Sequence, residues 1–540
     1  MNQARCLRII RVWLCLLGGL QMELPIHAQD LNEIGVTLLR RVATNTDGTG
    51  IRVAQPEAPG TNIPPDFEVN PAYSLVQKPA GLFTYFETNG TANFFPNGLG
   101  TESGHADTVA SNFYGFPGGV ATNVVHVDNY EANYFYNSII AATLPPNIND
   151  PVVNQSFIFG YVPGQVTISE QQQLDSEFDN YAAQYNTLFV SGAGNNGPGS
   201  GSVAPPSTCY NGMSVGAYGY AFSSVGPTED NGRAKPDIVA PAGATSFSTP
   251  QVAGAAAVLM QAGLRGDGGS DTNSPSDIRA VKALLLNGAV KPSDWTNNPP
   301  SPLDPRYGAG VLNVYNAYEQ LAGGKHGYIV ATNVPLGNPH PPTGTNGTVS
   351  TLNGWDFNNI SSSSNFDGVN HYYFNVTNGM GNAAFTATAT LVWNRQQNQV
   401  DINDLNLFLY NAANSNLVAG STSLVDNVEH IFVPNLPQGR YDLQVWKAGG
   451  IPNVSVVSSS ETYALAWEFS STLLNAAPSG TNLVLSWPIY PDGFVLASAT
   501  NLVPPVVWST NNPVPVVTNN LNWIPVSATN ASQFFRLQPP

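Results

Sequence analysis

The chain has 540 residues, of which 42% are hydrophobic and only 10% are charged, against about 25% charged residues in a typical soluble domain. This composition supports packed cores and excludes a wholly disordered chain, and at about 150 residues per domain the length predicts three or four domains. The formal net charge is −17. It repels a phosphate backbone, so no nucleic-acid partner is expected.

An export signal is predicted at residues 1–28. Arg5, Arg8 and Arg11 form a basic start, residues 12–20 are apolar, and Ala28 is a small residue suited to cleavage. An uncleaved anchor is disfavoured, because this apolar run is far shorter than the ~20 residues that cross a bilayer. We expect a secreted or extracytoplasmic protein, in the periplasm or at the cell surface, with no membrane span after signal removal.

The cysteine pattern excludes an internal disulfide in the exported chain. Cys6 and Cys15 lie in the predicted signal, which leaves Cys209 alone. A lone cysteine is usually a small buried hydrophobe, so no catalytic role is predicted for it.

Residues 29–324 are predicted to form one α/β domain. Strands and helices alternate here, which indicates a mainly parallel sheet with helices on both faces. Leu174, Phe178 and Tyr185 recur at helical spacing, and Ser276 or Asp277 can cap a later helix. The predicted strands are at residues 51–54, 123–127, 152–157, 187–190 and 213–217, and a helix is predicted at 171–185.

The chain after residue 324 is predicted to be all-β. Short alternating runs are separated by turns rich in Gly, Asn, Ser and Pro, which is typical of an antiparallel sandwich. A sandwich is expected at residues 325–470 and a smaller β domain at 471–540. The runs lie at residues 371–376, 385–393, 405–410, 441–446, 462–469, 483–487, 494–497 and 534–537.

Residues 244–257 carry the strongest chemical signal in the chain. Ser246 lies at a turn before a helix of very small residues, and Pro250 suits the first helical turn, where its missing N–H is not needed. Ser246 is either a nucleophile at the positive end of a helix dipole or a cap on a buried helix. This stretch alone does not separate the two interpretations.

The same stretch resembles the signature G-T-S-M-A-T-P-H-V-A-G of the subtilisin-like serine peptidases, or subtilases. The resemblance puts the nucleophile at Ser246, not at Ser248, with departures at Ala244 and Gln251. It implies a subtilisin-like fold and hydrolysis of peptide bonds.

Two further motifs of that family supply a base and an oxyanion donor. Residues 105–111 resemble H-G-T-H-V-A-G, which implies that His105 is the general base, although a surface histidine is the simpler alternative. Residues 191–198 resemble A-A-A-G-N-x-G, which implies that Asn195 belongs to the oxyanion hole. Taken alone, the second motif would be read as an Asn-Gly turn.

The third member of the implied triad departs from the family. Where subtilases read V-A-V-I-D-x-G, this chain reads Val-Ala-Gln-Pro-Glu-Ala over residues 53–58, so Glu57 occupies the aspartate position. A carboxylate there would accept the histidine Nδ1–H and stabilise imidazolium. Sedolisins also use Glu, but in place of the histidine that this chain retains. If Glu57 does not serve, Asp107 is the alternative carboxylate.

Residues 222–227, 232–241 and 307–314 also resemble subtilase segments in the family's order, so the resemblance spans about residues 50–321. Residues 153–157 resemble I-N-x-S-L-G, which implies that Ser156 and Phe157 wall the substrate pocket. Ile158 stands where the family has Gly.

The sequence thus predicts a secreted serine endopeptidase, a monomer acting on protein or peptide substrates through Glu57, His105 and Ser246. The alternative is a catalytically decayed subtilase-fold protein used for binding or adhesion at the cell surface. No cofactor is identified. Structural calcium is common among subtilases, but the acidic residues form no recognisable calcium loop. The role of the C-terminal β domains is left open between substrate docking, surface attachment and stability.

Overall fold

A computed structural model describes residues 31–538. Within that span the described residues exclude 161–164, 338–340, 343–345, 378–384, 451–455, 472–473, 480–481, 489–493, 504–505, 511, 519–520 and 528–532. The predicted signal at residues 1–28 lies outside the described residues.

The first part of the chain alternates strands and helices. Single 3₁₀ turns cover Ala80–Leu82 and Ser274–Ser276, and a π-helix covers Phe135–Ile140. The other elements are α1 (Val36–Val42), β1 (Arg52–Glu57), β2 (Asp66–Glu68), β3 (Phe83–Glu87), β4 (Gly90–Ala92), β5 (Thr101–Glu102), α2 (Gly104–Phe113), β6 (His126–Glu131), α3 (Ala132–Tyr134), β7 (Val152–Gln155), α4 (Ile168–Tyr185), β8 (Leu188–Gly192), β9 (Met213–Tyr218), β10 (Ile238–Pro241), α5 (Thr245–Arg265), α6 (Ile278–Asn287) and α7 (Val314–Ala322).

Eight of these strands form one sheet in the order β10-β9-β8-β7-β1-β6-β3-β4. Every pairing is parallel except that of β3 with β4. The central strands β7, β8 and β9 are short and almost fully buried, as expected when helices cover a parallel sheet. The predicted mainly parallel sheet is confirmed.

One predicted strand needs correction, and one hairpin was not predicted. The strand predicted at residues 123–127 begins only at His126 and runs to Glu131. Asn123 and Val125 instead donate backbone hydrogen bonds to the loop before β1, so they belong to a connection. The hairpin of β3 and β4 was not predicted, because Gly90–Ala92 is three residues long and has no alternating apolar pattern.

The rest of the chain is antiparallel β-structure. Strands β11-β13-β18-β15-β16 form one sheet and β12-β19-β14-β17 a second, and a smaller unit consists of β20-β21-β24-β23 with the pair β22-β25. Their bounds are β11 (Val330–Pro335), β12 (Asn353–Ser361), β13 (Phe366–Val376), β14 (Phe385–Trp393), β15 (Leu405–Asn411), β16 (Leu417–Ser421), β17 (Val428–Leu436), β18 (Gly439–Lys447), β19 (Ser460–Ser470), β20 (Asn475–Ser479), β21 (Asn482–Pro488), β22 (Val495–Ala499), β23 (Val516–Thr518), β24 (Leu521–Ser527) and β25 (Phe534–Gln538).

The two larger antiparallel sheets enclose a core of their own, with Tyr372, Trp393 and Trp467 among its fully buried side chains. These three aromatic residues therefore belong to the core of the sandwich and not to an exposed binding face.

The four-stranded sheet of the sandwich packs directly on α6 and α7. Trp355, Val392 and Ala464 join the same apolar core as the parallel sheet. Asn287 on α6 bridges the two layers: its Oδ1 accepts hydrogen bonds from Thr388 Oγ1 and Thr390 Oγ1, each at 3.0 Å. Side-chain hydrogen bonds and apolar packing thus both join the sandwich to the α/β domain.

A buried ion pair also joins the sandwich to helix α4 of the α/β domain. Arg395 Nη2 lies 2.7 Å from Asp179 Oδ2, and both side chains are almost fully buried. Asp179 also accepts the backbone N–H of Asn211 at 2.7 Å.

We predict that Arg395→Met lowers stability by about 3 kcal/mol, because it leaves a buried carboxylate without its cation. The measurement is urea denaturation of the full chain. Arg306→Met is the matched control, since its pair with Asp294 is mostly exposed and a surface pair contributes ~1 kcal/mol or less. Equal shifts of the two midpoints would contradict the prediction.

Candidate functional site

Strand β1 carries Glu57 to the carboxyl edge of the sheet, where ligands bind in open α/β folds. Glu57 is the last residue of β1, and its side chain is 2% exposed. Its Oε2 lies 2.8 Å from His105 Nδ1. The two residues implied as carboxylate and base are thus joined by a hydrogen bond.

His105 occupies the first turn of α2. The helix begins at Gly104 because Ser103 caps it, with Ser103 Oγ accepting the Ala106 N–H at 3.3 Å. This cap fixes where the helix starts, and so the direction from which the imidazole approaches β1. The histidine side chain stays 19% exposed, whereas the carboxylate is buried.

The other carboxylate oxygen of Glu57 is also occupied. Gln55 Nε2 donates to Glu57 Oε1 at 2.9 Å and to the Ala106 carbonyl at 3.0 Å. Tyr114 Oη–H donates to Gln55 Oε1 at 2.6 Å. The motif comparison missed Gln55 and Tyr114. The two-residue spacing of Gln55 and Glu57 on one strand face is the signal that could have found the first of them.

Helix α5 carries Ser246 in its first turn and packs closely on α2. Gly254 makes the approach possible: a Cβ there would lie 2.6 Å from Val120 Cβ and 3.2 Å from the Phe113 carbonyl oxygen. Phe247, the residue after Ser246, lies beside His105, and the centroids of the two rings are 5.8 Å apart.

The candidate nucleophile Ser246 and the candidate base His105 make no direct hydrogen bond with each other. His105 Nε2 is buried and has no hydrogen-bond partner among the described residues. Ser246 Oγ–H makes only a long contact, at 3.5 Å, with the Ser156 carbonyl. In proteins without substrate such catalytic contacts are often loose, so this geometry is compatible with proton transfer from Ser246 to His105.

Asn195 is fixed against the start of the same helix. It follows Gly194, whose φ of +108° suits the turn after β8. Its Oδ1 accepts hydrogen bonds from Thr245 N at 3.0 Å and Thr245 Oγ1 at 3.1 Å. Because N–H can only donate, the amide orientation is set, and Nδ2 is left without a partner among the described residues.

The Ser246 N–H lies in the first turn of α5, where a helix leaves its N–H groups without intrahelical acceptors. The Asn195 side chain, bound to Thr245, and the N-terminus of α5 therefore lie next to Ser246, and a helix N-terminus suits a developing negative charge.

Ser156 and Phe157, the two residues predicted to wall the substrate pocket, both contact neighbouring parts of the α/β domain. Ser156 Oγ–H donates to the Ser246 carbonyl at 2.9 Å, which ties the end of β7 to α5. Phe157 is 5% exposed and packs edge-on against Phe159. Ile158 lies against Gly194, since a Cβ on that glycine would be 3.7 Å from Ile158 Cγ2. Substrate binding by Ser156 and Phe157 stays a prediction.

Cys209 and Asp107 do not join this constellation. Cys209 is buried, and burial raises the pKa of its thiol to about 12, which does not suit a nucleophile. Asp107 is 1% exposed and accepts the Asn70 N–H at 2.7 Å. It makes no hydrogen bond with His105.

Within the described ranges, no group of three or more His, Cys, Asp or Glu side chains could hold a metal ion. The same part of the chain contains no helix with the length and apolar character needed to cross a membrane.

Residues 96–310 match the model of the subtilase family. The matched range includes His105, Asn195 and Ser246 but begins after Glu57. Among solved structures, the chain is similar to a prenylagaramide maturation protease, PagA, at 19% identity over 54% of this chain and 99% of that one, with a TM-score of 0.36. It is also similar to the PatG macrocyclase at 17% identity over 55% and 99% of the two chains, with a TM-score of 0.37. Sphericase matches at 18% identity over 52% and 97%, with a TM-score of 0.34.

The ionisation of Asp107 predicts how the free energy of unfolding changes with pH. Burial, followed by the nearby Glu102 and Glu57 carboxylates, raises the pKa of Asp107 from 3.8 to about 7, against the lowering effect of the Asn70 N–H. A carboxyl group whose pKa rises on folding destabilises the folded state as it ionises, so this loss develops between about pH 4 and pH 7.

We therefore predict that Asp107→Asn, which keeps an acceptor for Asn70, is more stable than the wild type at pH 8 and closely similar at pH 4. Thermal unfolding at both pH values measures this. A difference that does not change with pH would contradict it.

Proposed function

We propose that this chain, whose residues 96–310 belong to the subtilase family, is an exported serine endopeptidase that hydrolyses proteins or peptides. The observation that carries the proposal is the 2.8 Å contact between Glu57 Oε2 and His105 Nδ1, in a site where Ser246 lies in the first turn of the adjacent helix. The proposal of export rests on residues 1–28 alone.

The reaction follows from the chemistry of these groups. Ser246 Oγ attacks the peptide carbonyl while His105 Nε2 takes its proton, and Glu57 holds the imidazolium at Nδ1. His105 then protonates the leaving amine, which yields an acyl-enzyme. Water activated by His105 releases the acid and regenerates the serine.

Asn195 and the Ser246 N–H would stabilise the oxyanion of each tetrahedral intermediate. Asn195 suits this role because Thr245 holds its Oδ1 and leaves Nδ2 as a donor. Loss of one such donor typically lowers kcat by ~10²–10³-fold.

Glutamate in place of aspartate is compatible with this mechanism. The side chain is longer by one methylene, about 1.5 Å of carbon chain. Strand β7 pairs with β1 only at Val53 and Ala54, so Pro56 and Glu57 lie beyond that ladder. Backbone pairing with β7 therefore does not hold Glu57 in place, and the end of β1 can accommodate the longer glutamate side chain.

A fluorophosphonate probe tests the reaction, because it labels only an activated serine. We expect the full-length protein to be labelled, Ser246→Ala to lose labelling, and Ser248→Ala to keep it. Ser248 is the matched control because its hydroxyl is buried and bonded to the Thr245 carbonyl. Absence of labelling and of casein hydrolysis in folded protein would overturn the proposal and favour the binding or adhesion alternative.

The role of Glu57 is tested by Glu57→Gln. The change keeps the shape but cannot stabilise imidazolium, so we expect kcat to fall by about 10⁴-fold, as when a triad carboxylate is amidated elsewhere, with the fold intact. Casein or peptide hydrolysis and circular dichroism are the measurements. Turnover near that of the wild type would assign the role to another carboxylate.

A further inference from the structure

We propose that Gln55 is a positioning residue that holds the Glu57 carboxylate in the geometry His105 requires, and that Tyr114 fixes the Gln55 amide. The inference rests on the proposed function, since positioning matters only if Glu57 orients a catalytic histidine. With Gln55 and Tyr114, the proposed site contains five side chains in place of the three of the triad, and the two added residues are buried behind Glu57.

The contacts form one continuous chain of hydrogen bonds from Tyr114, which follows the last residue of α2, to the proposed base His105 in the first turn of the same helix. Tyr114 Oη donates to Gln55 Oε1 at 2.6 Å, Gln55 Nε2 donates to Glu57 Oε1 at 2.9 Å, and Glu57 Oε2 lies 2.8 Å from His105 Nδ1. Gln55 and Tyr114 are fully buried and Glu57 is 1% exposed. Water therefore does not compete for these hydrogen bonds.

The surroundings dictate the orientation of the Gln55 amide. Its Nε2 faces two groups that only accept hydrogen bonds, the Glu57 carboxylate and the Ala106 carbonyl. A flipped amide would direct its oxygen at both of these acceptors. Tyr114 adds to this constraint because its hydroxyl remains a donor: burial, together with nearby Tyr85, Glu57 and Asp107, raises the pKa of the Tyr114 hydroxyl.

The longer side chain of glutamate explains why a second tether is needed. Compared with aspartate, glutamate has one more rotatable bond between the backbone and the carboxylate. Because His105 binds one oxygen of Glu57 and Gln55 binds the other, the orientation of the carboxylate plane is fixed. Gln55 also binds the carbonyl of Ala106, the residue after His105, so the same amide holds β1 and α2 in register.

A purely structural role for Gln55 makes different predictions. A buried amide that only satisfies its neighbours would affect stability, but not the turnover of the molecules that remain folded. A positioning residue changes the His105–Glu57 contact itself, and hence kcat more than KM. The proton on His105 Nδ1 reports this contact directly, as a low-field signal in proton NMR that is absent in His105→Ala.

The test compares Gln55→Met and Tyr114→Phe in the full chain. Gln261→Met is the control: Gln261 is a buried glutamine near the far end of α5, bonded to Asp47 N, Gly48 N and the Asn45 carbonyl. For Gln55→Met we expect kcat to fall about 10- to 100-fold with KM nearly unchanged, and the low-field signal to shift or broaden. Tyr114→Phe should act in the same direction but less strongly. Gln261→Met should lower thermal stability alone.

Wild-type kcat and an unchanged low-field signal in folded Gln55→Met would overturn the inference. If Gln55→Met does not fold, the same two readouts in Tyr114→Phe decide the matter. Failure of the proposed function is a separate outcome: a wild type with neither labelling nor hydrolysis would refute the peptidase. The low-field signal would still report whether Gln55 sets the contact between His105 and Glu57.

Discussion

The candidate site depends on a carboxylate buried at the end of a central strand. A buried charge is costly unless donors surround it, and Glu57 receives donors at both oxygens, from His105 and from Gln55. The constraint extends to the elements that supply them. Helix α2 must begin at Gly104 for the imidazole to reach the strand end, and α5 must pack on α2 for Ser246 to come near it. Gly254 allows that approach because a side chain at this position would collide with Val120 and crowd the Phe113 carbonyl at the end of α2.

The sheet, one helix cap and most of the candidate site residues could be predicted from the sequence, because local patterns encode them. The parallel sheet follows from alternating elements, and the structure confirms it. Asp277 was one of two predicted caps and does cap α6, accepting the Arg279 N–H. The motifs predict His105, Asn195 and Ser246 through short segments whose backbone geometry is local. Glu57 was identified from a departure within such a segment, and its hydrogen bond to His105 fits the role the resemblance implies.

What the sequence did not reveal are contacts between distant segments. Gln55 and Tyr114 are 59 residues apart, and no local pattern indicates that the tyrosine hydroxyl meets the strand face. Asn123 reads as part of a strand because apolar residues follow it, but its backbone bonds to Asp47 instead. The contacts of Ser156 and Phe157 likewise depend on α5 and on a neighbouring aromatic cluster. In each case tertiary packing decides the outcome, and propensity does not.

The bridging contacts of Asn287 make the α/β domain and the sandwich depend on one side chain. One side chain on α6 accepts from two threonines of the sandwich and donates to Gln320 of α7. Loss of the Asn287 side chain would remove an acceptor from Thr388 and Thr390 and a donor from Gln320, so contacts on both sides of the boundary depend on one residue. A sandwich separated from the α/β domain would lose the acceptor that the Thr388 and Thr390 hydroxyls share, so its folded surface is matched to the helices beneath it.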